Sequence, residues 1–187
     1  MTKNLDKEGL RSIVDNYDIF YIDLWGVVHN GIALHTKAIE TLIKINKTKK
    51  NYVLLTNAPR PNKIVKVFLE KMGMDKEIRE KVYTSGEAAL SYLKKNYLGE
   101  KFYHLGPPRD FDLFLDFNNN KTENINDSTY LLCTGLSEFH HEDLNYYKDL
   151  LKDHTNKKMI CTNPDLIVDR GKKRELCAGS LALVFEK

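Results

Sequence analysis

The chain has 187 residues, 42% hydrophobic and 29% charged, a balance that suits one folded globular core and excludes disorder, collagen-like repetition and a disulfide miniprotein. The net charge of +3 is mild, and the cluster Lys47, Lys49 and Lys50 lacks interleaved aromatic residues, so it is read as a solvated face with no nucleic-acid partner. No window reaches the ~18 uninterrupted apolar residues of a membrane helix, and the opening MTKNLDKEGLRS has no apolar signal stretch, so a cytoplasmic protein without membrane contact is expected.

Residues 19–25, IFYIDLW, form an apolar run with one carboxylate near its end, the pattern of a strand buried on both faces. Ala38, Leu42, Ile43 and Ile45 then recur at helical spacing through 36–48. A second strand is expected over Tyr52 to Leu55, closed by the proline-stiffened loop Thr56-Asn57-Ala58-Pro59-Arg60-Pro61. A helix over 62–72 follows, with Gly73 as its stop, then a short strand at Lys81 to Tyr83. Thr84 stands three residues before Glu87, the spacing of a capping box opening a helix over 86–96. The first ~95 residues thus alternate strand and helix, as in an open doubly wound sheet.

After Gly99, strands are expected at Lys101 to Leu105, Tyr130 to Cys133 and Lys158 to Cys161, with a helix at about 141–152 and a flexible asparagine-rich loop over 118–127. Together these suggest a small α/β module. Cys133, Cys161 and Cys177 are too widely spaced for a CxxC motif and lie in or beside apolar runs, so reduced, buried thiols are expected.

Ligands of open α/β sheets bind outside the carboxyl ends of the strands, which directs attention to Asp23, to Thr56 with Asn57, and to Thr84 with Ser85. Asp23 has no neighbouring cation in its run, and a lone carboxylate there calls for a metal, a phosphate loop or a role as a cap. Thr56 and Asn57 offer a hydroxyl and an amide before a helix start, which suits an oxyanion or, equally, a turn.

The stretch Asp23-Leu24-Trp25-Gly26-Val27-Val28-His29-Asn30-Gly31 resembles the first motif of haloacid dehalogenase superfamily phosphatases, and Leu55-Thr56-Asn57 resembles their second. Tyr83 to Ala89, Cys161-Thr162-Asn163-Pro164-Asp165 and Ala178-Gly179-Ser180-Leu181 look like landmarks of the class IIA branch, which includes nitrophenylphosphatase-like and sugar- or nucleotide-phosphate phosphatases. The resemblance runs along nearly the whole chain. It implies an α/β fold: a doubly wound, Rossmann-like core begun by residues 1–97, an inserted α/β cap at 98–177, and a return to the core starting at 178–187.

The resemblance also implies chemistry: a Mg2+-dependent phosphomonoester hydrolase acting on a small phosphorylated metabolite. Asp23 would be the nucleophile, forming an aspartyl-phosphate that water later hydrolyses. Its carboxylate and the main-chain carbonyl of Trp25 would bind Mg2+; Thr56, with the amides of Asn57 and Ala58, would hold the phosphoryl oxygens, and Arg60 is a candidate for substrate contact.

Two departures stand out. The family places a second aspartate, the general acid, two residues after the nucleophile, where this chain has Trp25, and indole cannot donate a proton at useful pKa. His29 is the nearest titratable substitute, although packing or exposure is the commoner fate of a loop histidine. The family's third-motif lysine and fourth-motif acidic pair are also not found after Gly179, where only Ser180 to Lys187 follow. The expectation is a C-terminally truncated version of a longer protein, inactive by itself and associating into homo-oligomers or aggregating through an open Asp23 strand, while the cap folds independently; the alternative is a chain that has lost those parts. A dehalogenase-like enzyme and a non-catalytic protein that binds phosphorylated ligands are the alternatives.

Overall fold

A computed structural model describes residues 9–48, 50–170 and 173–186. Two parallel sheets and one hairpin carry the chain. The first sheet has the order β1 (Ile19–Asp23), β2 (Asn51–Thr56), β3 (Val82–Thr84), all parallel. Helices α1 (Thr36–Asn46) and α2 (Asn62–Lys71) supply the crossovers, with the single turn α3 (Lys76–Arg79) before β3.

One face of this sheet is packed. Phe20 and Ile22 of β1, Tyr52 and Leu54 of β2 and Val82 of β3 meet Leu42 and Ile45 of α1 and Val65 and Leu69 of α2. The opposite face carries Ile19, Tyr21, Leu55 and Tyr83, exposed by 43%, 68%, 44% and 42%. β1 is therefore partly buried and on one face only, contrary to the reading of IFYIDLW as buried on both, because the helices that pack on it lie on one side. The strand also ends at Asp23, since Leu24 turns inward and accepts the N–H groups of Val28 and His29.

The second sheet has the order β5 (Lys121–Thr122), β4 (Phe102–Leu105), β6 (Tyr130–Cys133), β7 (Lys158–Cys161), again parallel. All four residues of the central β6 are buried. Leu131 and Cys133 pack with Tyr147 and Leu151 of α5 (Leu144–Leu151) and Leu181 of α6 (Ala178–Phe185); Tyr130 and Leu132 pack with Phe114 and with Leu93 of α4 (Ser85–Asn96). Burying each such leucine contributes about 1.5–3 kcal/mol, so this continuous run is a main source of the module's stability.

Three local features differ from expectation. Residues 118–127 are no flexible loop: they hold β5 and a 3-10 turn at Ile125–Asp127 that Asn124 caps, its Oδ1 accepting the Asn126 N–H at 3.0 Å. The helix expected at 141–152 starts at Leu144, where Asp143 Oδ1 takes the Tyr146 N–H at 3.0 Å. An antiparallel hairpin, β8 (Ile167–Arg170) and β9 (Lys173–Leu176), was not anticipated.

Candidate functional site

Parallel pairing brings the three strand ends of the first sheet to one edge: Asp23 pairs with Leu55, and Thr56 pairs with Thr84. Asp23 is exposed there, one carboxylate oxygen accepting the Leu24 N–H at 2.8 Å. The following residues make a tight loop, with the Gly26 N–H donating to the His29 carbonyl at 2.8 Å and the His35 N–H to the Val28 carbonyl at 2.8 Å. Gly26 has φ +77°, the left-handed backbone that glycine tolerates best.

His29 packs within this loop. It is 4% exposed, its Nδ1 accepts the Gly31 N–H at 3.0 Å, and its ring meets those of Trp25 and Phe68 edge-on at 5.4 and 5.8 Å. Burial, reinforced by His35 and opposed by Asp23, lowers its pKa below the ordinary 6.5. It is held as a neutral packing group, not poised as a proton donor. Trp25 turns its indole toward the hairpin, where Nε1 donates to the Asp169 carbonyl at 3.2 Å.

The second motif is strapped on three sides. The Ala58 N–H donates to Thr56 Oγ1 at 3.3 Å, and Asn57 Nδ2 donates to Asp165 Oδ1 at 2.9 Å. The Ser85 hydroxyl donates to the Thr162 carbonyl at 2.5 Å and lies 3.1 Å from the Ala58 carbonyl, linking this loop to the segment after β7. The structure thus brings Asp23, Thr56, Asn57 and Ala58 to one strand edge and sets 162–169 against them. Arg60, expected to face substrate, has its Nη2 bonded to Asp112 Oδ2 at 2.6 Å and to the Arg109 carbonyl at 2.9 Å, while its buried Nε has no hydrogen-bond partner among the described residues.

Asp112 and Asp169 were missed by sequence reasoning, because their contacts with Arg60 and Trp25 join residues 52 and 144 positions apart and leave no local pattern. The donors at hand, the Asp23 carboxylate and the Trp25 carbonyl, are hard oxygens and fit a magnesium-like cation in kind. Among the described residues, however, no group of three or more His, Cys, Asp or Glu side chains could enclose a metal ion.

The sequence pattern of the haloacid dehalogenase-like hydrolase family matches residues 20–118. No curated protein matches the chain. A hydrolase of the haloacid dehalogenase-like family from Brucella suis is similar at 29% identity and TM-score 0.83, over 100% of this chain and 69% of its own. A 4-nitrophenylphosphatase from Thermotoga maritima is similar at 22% identity and TM-score 0.71, over 93% of this chain and 65% of its own. A glycerol phosphate phosphatase from Mycobacterium tuberculosis, solved with magnesium, is similar at 20% identity and TM-score 0.66, over 94% of this chain and 54% of its own. The last two likenesses bear on the fold alone, and the chain spans between about half and about two thirds of the length of these structures.

Proposed function

This chain belongs to the haloacid dehalogenase-like hydrolase family, and from that premise we propose that it serves a Mg2+-dependent phosphomonoester hydrolase acting on a small phosphorylated metabolite. The carrying observation is the placement of Asp23 and Thr56 at the carboxyl ends of neighbouring parallel strands, with Ala58 hydrogen-bonded to Thr56. Membership of the hydrolase family supports the reaction class, and the cation is taken from the magnesium in a structure of like fold. In this proposal the first sheet belongs to the core (1–97), the four-stranded sheet to the cap (98–177), and residues 178–187 begin the return.

Asp23 attacks phosphorus and forms an aspartyl-phosphate, which water then cleaves. The Thr56 hydroxyl and the amides of Asn57 and Ala58 hold the phosphoryl oxygens; the Ala58 N–H, now bonded to Thr56 Oγ1, would exchange that partner for the ligand. Mg2+, held by the Asp23 carboxylate and the Trp25 carbonyl, would offset the phosphoryl charge. Trp25 cannot protonate the leaving oxygen, and His29 is buried with Nδ1 already accepting a hydrogen bond, so the leaving group departs on its own acidity. Because one carboxylate is few for a hard cation, the 187 residues by themselves are proposed to turn over no substrate.

Phosphate release from nitrophenyl phosphate, sugar phosphates and nucleotides, with and without Mg2+, tests this on the 187-residue chain and on any longer chain containing it. Turnover by a longer chain that needs Mg2+ and vanishes in Asp23→Asn supports the proposal; turnover by the 187 residues alone overturns their inactivity, and turnover surviving the change at more than about a hundredth of its rate overturns the nucleophile. The position of Trp25 also favours a second reading, a protein that binds phosphorylated ligands without turnover, which saturable phosphate binding with no release from any chain would establish.

A further inference from the structure

Cys133 ends β6 and Cys161 ends β7, and the two are register partners in this parallel pair. Adjacent strands lie about 4.7–4.9 Å apart, within the Cα separations a disulfide spans, and register partners leave the sheet on the same face. Both side chains pack with the cluster that α5 and α6 form on that face. The Cys133 thiol donates to the Ala178 carbonyl at 3.8 Å, at the start of α6, and the Cys161 thiol to the Asn163 carbonyl, just past the end of its own strand. The neighbouring Cys161 raises the Cys133 pKa well above its ordinary value, and Cys133 draws that of Cys161 down to about 7, against the opposing effect of burial. Cys133 is fully buried, whereas Cys161 is half-buried, so a dissolved reagent meets Cys161 first.

We propose that Cys133 and Cys161 form a peroxide-sensitive dithiol, in which Cys161 reacts and Cys133 resolves it as an internal disulfide. The Cys161 thiolate attacks one oxygen of hydrogen peroxide; the O–O bond breaks, hydroxide leaves and takes a proton as water, and Cys161 becomes a sulfenic acid. The Cys133 sulfur then attacks the Cys161 sulfur, the S–O bond breaks, and the hydroxyl departs with the thiol proton as a second water. Two thiols are oxidised by two electrons in all, and one peroxide is reduced to two waters. Neither step needs Cys133 to meet solvent. The pair stands directly before the Thr162–Asp165 segment: Thr162 donates its N–H to the Cys133 carbonyl at 2.9 Å, and the Cys161 thiol donates to the Asn163 carbonyl at 3.1 Å.

The folded 187-residue chain is treated with a small excess of hydrogen peroxide, denatured, alkylated and mapped by mass. Before alkylation the expected product is about 2 Da lighter than the reduced chain; after alkylation it carries one modified thiol in place of three and yields a linked peptide pair containing Cys133 and Cys161 with Cys177 alkylated. Reducing agent should restore all three thiols. In Cys133→Ala, a sulfenic acid should persist at Cys161 and be trapped by dimedone; should that variant not fold, the map of the unaltered chain decides alone. A linkage through Cys177, or oxidation of Cys161 to sulfinic acid while Cys133 stays free, overturns the proposal. So does a Cys161 no more reactive than Cys177.

Discussion

At the scale of single residues, Trp25 stands where the proposed mechanism would place a proton donor. Its consequence is a dependence on leaving-group acidity. In whichever chain containing these residues shows turnover, kcat/KM for nitrophenyl phosphate should exceed that for an alkyl phosphate by on the order of 10²–10⁴, the usual contribution of a positioned acid. Equal rates measured side by side would mean that another group delivers the proton. His104 carries a second prediction. Its Nε2 meets Thr134 Oγ1 at 2.8 Å and its ring lies 4.7 Å from that of Phe114, and burial, aided by Lys121, pushes its pKa from 6.5 to about 4. Between those values the unfolded chain binds the proton that the folded chain refuses, so this contribution is complete above pH 6.5 and is lost as pH falls toward 4. The full loss is on the order of 3 kcal/mol. The nearby Asp110, raised by burial, acts in the opposite sense from its ordinary 3.8 upward. Urea midpoints at pH 7.5 and 4.5 should therefore fall less in His104→Gln than in the unaltered chain.

At the scale of elements, the start of α4 shows how much the sequence discloses and where it stops. Thr84 and Glu87 have capping-box spacing, and Thr84 Oγ1 does accept the Glu87 N–H at 2.9 Å. The Glu87 carboxylate, however, accepts the Asn62 N–H at 2.9 Å, and Asn62 Oδ1 takes the Thr84 N–H at 2.9 Å. Half the box is local and half is lent to α2. The Thr84 hydroxyl also donates to the Arg60 carbonyl at 2.6 Å, so Thr84→Val should cost about 1–3 kcal/mol in chemical denaturation, more than an exposed cap does. Gly86 is tighter still: a Cβ there would lie 2.4 Å from the Arg60 backbone nitrogen. Gly86→Ala should thus destabilise the chain and loosen the second motif together, read as a lowered melting temperature with faster amide exchange at 57–60. The alternation of strand and helix through residue 96 was legible because each element carries its own period of apolar residues. β5, of two residues, and the β8–β9 hairpin were not, since their short, polar sequences take their conformation from the strands and loops beside them. The site divides in the same way: Asp23 and Thr56 are marked by strand ends, whereas the partners of Arg60 and Asn57 depend on how distant loops meet.

At the scale of the molecule, among the described residues the first sheet is covered on one face and open on the other, and β1 is one of its two edges. The Asn51 N–H donates to the Asp18 carbonyl at 2.9 Å, which fixes the alternation and turns the backbone groups of Ile19, Tyr21 and Asp23 away from β2. Such an edge, next to an apolar face, is a template for another strand. The 187-residue chain should accordingly self-associate in sedimentation experiments as its concentration rises, and Tyr21→Lys, which sets a charge on that strand, should shift it toward monomer. Monomeric behaviour of the unaltered chain throughout would show that the edge is too weak to pair. The bond from Trp25 Nε1 to the Asp169 carbonyl has an optical consequence. This is the chain's only tryptophan, so fluorescence excited selectively beyond the absorption of its ten tyrosines comes from a single indole lying between the first motif and the hairpin. Any ligand or solution condition that lifts the hairpin should wet that indole and move its emission to longer wavelength, so the hairpin's departure from the loop after Asp23 can be followed in real time without attaching a dye.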